Sequence, residues 1–308
     1  MLNIKKNILL KGYSTFKIGG RTKYFIKVSS FFQARNAVKW AKEKNIPFFV
    51  LGGGSNILFS DKRYNGLVIK MENSKIKTAG KDIDVGAGTN LLKLVLFSKD
   101  NSLSGLEWAA GIPGTVGGAV FGNAGAFGRE IKDVIKKVSV LDISTLKEKT
   151  FTKKECDFSY RNSIFKKTEK YIIISASFAF KKGNNQKISE EIKKNIIYRK
   201  EHHPLSFPSI GSIFKNKKIT KKNKFLFKKF PELKQFKNKR EIPAAYLISM
   251  QNLKGKKIGG AKISEKHTNF IVNIGSAKAK DVISLINFVK NKTKNKFKID
   301  LETEIILK

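Results

Sequence analysis

The chain has 308 residues, 41% of them hydrophobic and 24 of them Phe, which predicts about two folded domains and excludes a disordered protein. The net charge of +39 would suit a nucleic-acid-binding protein, but only 7 of the 63 basic residues are Arg and the lysines are spread along the whole chain, so we favour compositional drift and expect no nucleic-acid partner. A single cysteine excludes an internal disulfide and a multi-cysteine metal site, and neither a membrane span nor a secretion signal is recognisable, so we expect a cytoplasmic protein.

The first predicted elements alternate between strand and helix. Strands are predicted over 24–28, 47–51 and 66–71, and a helix over 31–44. The sequence places Phe32, Val38 and Ala41 on one apolar stripe of that helix. The order β-α-β predicts a small α/β unit with at least one buried strand.

A glycine loop, Gly52-Gly53-Gly54-Ser55-Asn56, follows the apolar strand over 47–51. Its bare N–H groups, with the Ser55 and Asn56 side chains, suit a phosphate. It is not a Walker loop, because no Lys-Ser or Lys-Thr follows the glycines. An ordinary glycine-rich turn is the alternative.

Residues 75–90 alternate as one strand, and a helix is predicted over 91–100 with Thr89 or Asn90 as its cap. Residues 111–128 then contain seven glycines and no charged residue. Such density indicates either backbone exposed to a flat or anionic ligand, or two elements packed closely together. We expect a short helix near 114–120, with its N–H groups facing a cofactor.

Strands are predicted over 134–142 and 171–180, and an amphipathic helix over 186–201. Arg161 lies between the two strands. In a chain that otherwise uses Lys, this planar and permanently charged fork suits a carboxylate, although a surface ion pair is the alternative. His202-His203 has no third ligand nearby, so no metal site is predicted.

Ser212 is not a hydrolase nucleophile by pattern, because Gly-x-Ser-x-Gly is missing. The lysine-rich residues 217–240 are predicted to form an exposed, mobile loop. Helices over 243–249 and 280–292 and a final strand over 298–307 follow, and alternation places Glu302 and Glu304 on one face of that strand.

These motifs carry a family resemblance. Gly-Ile-Pro-Gly-Thr-Val-Gly-Gly-Ala and Gly-Asn-Ala-Gly-Ala-Phe-Gly, within 111–128, resemble the flavin-binding segment of the UDP-N-acetylenolpyruvoylglucosamine reductase (MurB) family. Tyr-Arg-Asn-Ser at 160–163, Gly-Ser-Ile-Phe-Lys-Asn at 211–216 and Leu-Glu-Thr-Glu at 301–304 follow in the family's order. No inserted β-α-β-β unit is seen in 181–210, which resembles the shorter branch that lacks an extra tyrosine-bearing loop.

The resemblance implies an α+β fold with a two-lobed FAD-binding domain of the PCMH (vanillyl-alcohol-oxidase-like) type and a C-terminal α/β substrate domain. The implied parts are a first lobe over 1–72, a second lobe over 73–200, a substrate domain over 201–300 and a terminal strand over 301–308. A monomer is expected.

The implied activity is the NADPH-dependent reduction of the enolpyruvyl ether of UDP-N-acetylglucosamine to UDP-N-acetylmuramate, in peptidoglycan synthesis. NADPH would pass a hydride to FAD, and the flavin would pass it to the vinyl carbon. Arg161 and Glu304 match residues that stabilise the resulting enol-like state, and Ser212 matches the proton donor.

The resemblance also assigns binding residues. Tyr160, Lys215 and Asn216 match substrate-contacting positions. This chain departs from the family at Lys217, where relatives usually carry Pro, and at Met250, where relatives commonly carry Gln. A substrate contact from Gln251, one place after Met250, is therefore left open. His267 is either a substrate contact or a packed or surface His. The implied FAD-binding residues are Gly52, Gly53, Gly54, Ser55, Asn56, Gly111, Ile112, Gly114, Thr115, Gly118, Gly122, Asn123, Ala124 and Gly125.

Two other functions compete with this hypothesis. Another FAD oxidoreductase of the same superfamily would share 52–56 and 111–128 but lack Gly-Ser-Ile-Phe-Lys-Asn and the terminal Glu. A non-enzymatic, basic nucleic-acid-binding protein would bind RNA in a salt-sensitive way and carry no flavin.

Overall fold

The structure is a computed structural model and describes residues 2–79 and 82–308. The chain divides into two compact units. Unit 1 contains Met1–Leu9, Arg21–Gly54 and Arg63–Glu201, whereas unit 2 contains Leu10–Gly20, Ser55–Lys62 and His202–Lys308. The division into four parts given above stays a prediction.

The first sheet of unit 1 has four strands in the order Lys5–Leu9, Arg21–Val28, Tyr64–Met71 and Phe48–Leu51, and only the first pair is antiparallel. The predicted helix forms over Phe31–Glu43, where Ser30 accepts a hydrogen bond from the Gln33 amide.

The predicted apolar stripe of this helix is wrong at Phe32, which is 59% exposed. The buried face is formed by Ala34, Ala37, Val38 and Ala41, whose spacing follows the helical period. These residues share a core with the strands, and Phe32 lies outside it.

The second sheet of unit 1 is antiparallel, with strands in the order Glu148–Thr152, Ile135–Asp142, Tyr171–Ala179, Asp82–Gly86 and Ile76–Ala79. Asn90 caps the helix over 91–100 by accepting hydrogen bonds from the Leu92 and Lys93 amides. The helices of this part are Leu91–Asp100, Val116–Phe121, Ile164–Thr168 and Asn185–His202, and its 3₁₀ turns are Glu107–Ala109 and Ile131–Asp133. Two short strand pairs are also present. Leu103–Ser104 pairs with Lys181–Lys182, and Gly125–Ala126 pairs with Arg129–Glu130.

The prediction of one strand over 75–90 is wrong, because Ile76–Ala79 and Asp82–Gly86 pair with each other as antiparallel strands. Residues 80 and 81 lie outside the described residues. The apolar positions change phase between Ile76 and Ile83, and the sequence Gly80-Lys81-Asp82 between them is a turn signal that the prediction overlooked. Asp82–Gly86 takes the inner position, with Ile83 and Val85 buried.

Unit 2 is built on a three-stranded antiparallel sheet of Lys257–Ile258, Ala261–Ile263 and Ile271–Asn273. The Asp61 carboxylate accepts hydrogen bonds from the Ala279 and Lys280 amides and so caps the long helix. The helices of unit 2 are Leu226–Lys229, Ala244–Ser249 and Ala279–Phe297, and its 3₁₀ turns are Leu10–Tyr13, Lys221–Asn223 and Pro231–Phe236. In two further strand pairs, Lys217–Lys218 pairs with Glu241–Ile242, and Ile57–Leu58 pairs with Ile306–Leu307.

The prediction that 217–240 is an exposed loop is wrong. Leu226, Phe227 and Leu233 are buried in the core of unit 2. The many lysines dominate the composition of this segment, but its few apolar residues recur at positions that one short helix and one 3₁₀ turn direct inward.

The predicted final strand over 298–307 is also wrong in extent. Regular pairing occurs only at Ile306–Leu307, which runs parallel to Ile57–Leu58, with an isolated bridge between Thr303 and Phe214. Residues 302–304 instead form hydrogen bonds with 213–215, so the C-terminal segment pairs with two different neighbours along its length.

We predict that Leu226→Ala lowers the free energy of unfolding by about 2–5 kcal/mol, because it leaves a cavity in the core of unit 2. Lys228→Ala, at an exposed position of the same short helix, is the matched control. Denaturant unfolding measures both. Equal effects of the two substitutions would mean that 217–240 contributes no core.

Candidate functional site

The two glycine loops of unit 1 lie directly against each other. A Cβ added to Gly52 would lie 2.6 Å from the Thr115 Oγ1 atom, and one added to Gly53 would lie 2.6 Å from the Gly114 Cα atom. Both distances are shorter than real Cβ contacts allow, so close packing accounts for these two glycines. Lys70 Nζ also donates to the Gly52 carbonyl at 2.5 Å, and burial lowers the pKa of Lys70.

Other glycines of the segment 111–128 are not explained by packing. A Cβ at Gly118 or Gly122 would meet no other atom closer than 3.6 Å. A Cβ added to Gly117, by contrast, would lie 2.8 Å from the Ala87 Cβ atom. Packing therefore does not require Gly at 118 or 122, which is compatible with a ligand close to the main chain there.

The remaining predicted cofactor residues are divided between the units. Gly111, Gly114 and Gly54 have φ of +78°, +127° and +66°, which favours Gly. Ile112 and Ala124 are half-buried against the core of unit 1. Ser55 and Asn56 belong to unit 2, where Asn56 Nδ2 donates to the Glu304 carbonyl at 3.3 Å.

The Arg161 loop is fixed to the glycine-rich segment. Arg161 Nη2 donates to the Gly125 carbonyl at 2.7 Å, and Asn123 Nδ2 donates to the Ser159 carbonyl at 2.9 Å. Ser163 Oγ donates to the Phe121 carbonyl at 2.7 Å and also caps the helix Ile164–Thr168. The structure thus brings two motifs together that lie 36 residues apart.

Arg161 has a left-handed backbone conformation, with φ of +54°. Eleven other non-glycine residues among those described share a positive φ, so the conformation alone does not mark a functional residue. The Arg161 guanidinium lies over the Tyr160 ring at 5.4 Å, and Tyr160 is 38% exposed.

In unit 2, the segment that carries Ser212 lies between two other segments. On one side, Ile213 N donates to the Asn269 carbonyl at 2.8 Å, and Ser212 bridges to Phe270. On the other side, Glu304 N donates to the Ile213 carbonyl at 2.8 Å. The two predicted catalytic residues, Ser212 and Glu304, are therefore on adjacent segments, and both are half-buried.

Lys215 and Asn216 have different environments. Lys215 Nζ lies 3.2 Å from Glu302 Oε2; the Lys215 side chain is half-buried, and that of Glu302 is exposed. Asn216 Oδ1 accepts from the Ala244 amide at 3.1 Å, and Asn216 Nδ2 donates to Glu241 Oε1 at 2.5 Å. Asn216 thus holds the start of the helix Ala244–Ser249.

The positions left open are engaged in packing. Gln251 Nε2 donates to the Leu247 carbonyl at 2.9 Å and to Thr293 Oγ1 at 3.0 Å, which ties two helices together. The His267 ring packs edge-on against His203 and Phe270, and burial lowers the pKa of His267. Within the described ranges, no three His, Cys, Asp or Glu side chains are grouped as metal ligands.

Sequence reasoning missed Arg199. This side chain is 8% exposed, donates from Nε to the Ala110 carbonyl at 2.9 Å, and lies over the Phe127 ring at 5.4 Å. It therefore contacts both ends of the segment 111–128, and burial lowers its pKa. The scarcity of Arg that singled out Arg161 would have identified it, since it is also one of the seven.

Two family models match the chain. A FAD binding domain matches residues 22–145, and the C-terminal domain of UDP-N-acetylenolpyruvoylglucosamine reductase matches residues 203–307. Together with the mixed helices and strands, they confirm the predicted fold class of an α+β protein in which an FAD-binding domain is followed by the C-terminal domain of this family.

Whole-chain relatives agree. UDP-N-acetylenolpyruvoylglucosamine reductase of Clostridium novyi is 39% identical over 303 residues, covering 98% of this chain and 91% of its own. The Thermotoga sp. (strain RQ2) enzyme of that name is 39% identical over 297 residues, covering 96% and 90%. The crystal structure of MurB from Thermus caldophilus matches with a TM-score of 0.79 and 29% identity, over 100% of this chain and 99% of that one.

We predict that Arg199→Met weakens FAD retention at least tenfold, because the segment 111–128 loses the side chain that joins its ends. Arg199→Lys keeps the charge but not the planar fork, and should fall between Met and the parent. Equilibrium dialysis of flavin from the purified protein measures this. Equal FAD affinity in the parent and both variants would mean that Arg199 does not support the binding of FAD by the segment 111–128.

Proposed function

The chain belongs to the UDP-N-acetylenolpyruvoylglucosamine reductase (MurB) family, and from this premise we propose how its own residues serve the reaction. It is an FAD-containing oxidoreductase, a UDP-N-acetylmuramate dehydrogenase of peptidoglycan synthesis that uses NADPH as reductant. The observation that carries the proposal is the pairing of the Ser212 segment with the Glu304 segment.

FAD, when bound, supplies the hydride chemistry. The residues fit this group, because Gly118 and Gly122 leave backbone open where a side chain would otherwise stand. We propose that the loop 52–56 and the segment 111–125 hold it through main-chain donors. The contacts between Gly53 and Gly114 fix the two loops in advance, which reduces the ordering cost of binding.

Arg161 is proposed to hold the substrate carboxylate. Its Nη2 bond to the Gly125 carbonyl and the Tyr160 ring orient the guanidinium. The guanidinium would stabilise the negative charge that develops on the carboxylate and the neighbouring carbon. Tyr160 would contact substrate from the same loop.

Ser212 is proposed to deliver the proton to carbon. A serine hydroxyl is a weak acid, so its contribution depends on being held at the reacting atom while that atom becomes strongly basic. The hydrogen bonds on both sides of Ile213 provide this fixation. Glu304, protonated or sharing a proton, is proposed to stabilise the enol-like state beside it.

Lys215 and Asn216 are proposed substrate contacts of unequal weight. Lys215 pairs with Glu302, a side chain that is 72% exposed, and such pairs are worth little, so Lys215 is able to exchange to a diphosphate. The Asn216 amide is committed to Ala244 and Glu241, so we assign its main contribution to helix capping.

We also propose a monomer that acts in the cytoplasm. Nucleotide-linked sugars and NADPH are cytoplasmic metabolites, which supports this location. Across the part of the chain that the structure describes, no helix combines the length and apolarity needed to span a bilayer.

We predict that Ser212→Ala leaves FAD content and flavin bleaching by NADPH nearly unchanged, but slows flavin reoxidation by UDP-N-acetylglucosamine enolpyruvate by about 10²–10⁴-fold, because only the second step needs the proton. Anaerobic stopped-flow absorbance separates the two steps. Equal slowing of both would exclude Ser212 as the proton donor.

For Glu304→Gln we expect reoxidation to slow by about 10²-fold, since a carboxyl that faces the developing charge is lost. The matched control is Glu302→Gln, two residues away and exposed, which should change the rate less than about threefold. The same stopped-flow assay compares them. If Glu302→Gln were the slower variant, the catalytic carboxyl would be assigned to the wrong residue.

A further inference from the structure

The segment that carries Ser212 depends on one buried asparagine. Asn269 is 3% exposed. Its Oδ1 accepts from the Phe214 amide at 2.9 Å, and its Nδ2 donates to the Phe214 carbonyl at 2.8 Å. Its main-chain carbonyl accepts from the Ile213 amide at 2.8 Å. One residue therefore satisfies three main-chain groups directly after Ser212.

These three bonds fix the direction of the main chain. The side-chain amide of Asn269 pairs with both polar groups of Phe214, as a neighbouring strand would do. Ile213 and Phe214 are buried, so water does not replace a lost partner there. On the opposite side, Glu304 N donates to Ile213 and Lys215 N donates to the Glu302 carbonyl. Rotation of the segment would break bonds on both sides at once.

We propose that Asn269 is a positioning residue for the proton-transfer step. It sets the direction of the Ser212 hydroxyl and the register between Ser212 and Glu304, without contacting the reacting atoms. The inference rests on the proposed role of Ser212, and it extends that role to a residue outside the motifs matched above as catalytic.

The chain contains a matched control in Asn273. This residue is also buried, and its amide also makes main-chain bonds, donating to the Phe16 carbonyl at 3.1 Å and accepting from the Gly275 amide at 2.8 Å. None of these bonds reaches the Ser212 segment. Asn273→Ala therefore removes a comparable buried amide from the same unit while leaving Ile213 and Phe214 paired.

The test measures both flavin steps in the full-length FAD-loaded protein, together with its thermal midpoint. Asn269→Ala should slow reoxidation by the enolpyruvyl substrate at least tenfold and leave bleaching by NADPH within about twofold, because misplacement affects only the proton-transfer step. Asn273→Ala should lower the thermal midpoint but leave both rates near those of the parent. Equal slowing of reoxidation by the two variants overturns the proposal.

A double variant separates this inference from the proposed function. If Asn269 acts through Ser212, Asn269→Ala should add less than about twofold to the slowing already caused by Ser212→Ala. Full additivity overturns the positioning role. If Ser212→Ala alone does not slow reoxidation, the proposed role of Ser212 is wrong. That result needs no measurement on Asn269, so the two failures are distinguishable.

A second substitution keeps the test valid if Asn269→Ala does not fold. Asn269→Asp retains the shape and the acceptor, but its charged form has no donor for the Phe214 carbonyl. Protonation restores an O–H donor, and burial raises the pKa of such a carboxyl, so reoxidation relative to the parent should recover as the pH falls. A pH profile parallel to that of the parent overturns the proposal.

Discussion

The approach of main chain to main chain in unit 1 is the constraint on which the cofactor region depends. Gly53 meets Gly114, and Gly117 meets Ala87, at distances that any larger side chain would prevent. The Gly117 amide donates to the Ala87 carbonyl, and the Leu91 amide donates to the Gly114 carbonyl. Three loops are thus joined through their backbones. The glycines at 53 and 117 permit this contact, whereas a Cβ at 118 or 122 would make only ordinary contacts.

Local features of the sequence predicted the local structure well. The helix Leu91–Asp100 begins where Asn90 caps it, and the strands Ile135–Asp142 and Tyr171–Ala179 follow the apolar pattern. These features depend on neighbours within a few residues, so a single sequence is enough to predict them. The family was also predictable from its motifs, and the comparisons confirm it.

Structure that depends on distant partners was not predictable in this way. Residues 302–304 have the composition of a strand but bond to 213–215, which no local pattern specifies. The burial of Leu226 depends on a core formed by the rest of unit 2, and lysine content alone pointed the other way. Candidate site residues were proposed through resemblance, whereas the residues that hold their segments, such as Arg199 and Asn269, were not identified.

Two buried asparagines hold their segments in the same physical way. In unit 1, the buried amide of Asn123 donates to the Ser159 carbonyl and accepts from the Lys132 amide, and so fixes the loop of Arg161. In unit 2, Asn269 does the same for the segment of Ser212. An uncharged amide that both donates and accepts can replace a missing strand without burying a charge, which a lysine or a carboxylate would do at high cost. Buried asparagine therefore gives each of these two loops a fixed shape without adding to the net charge of +39.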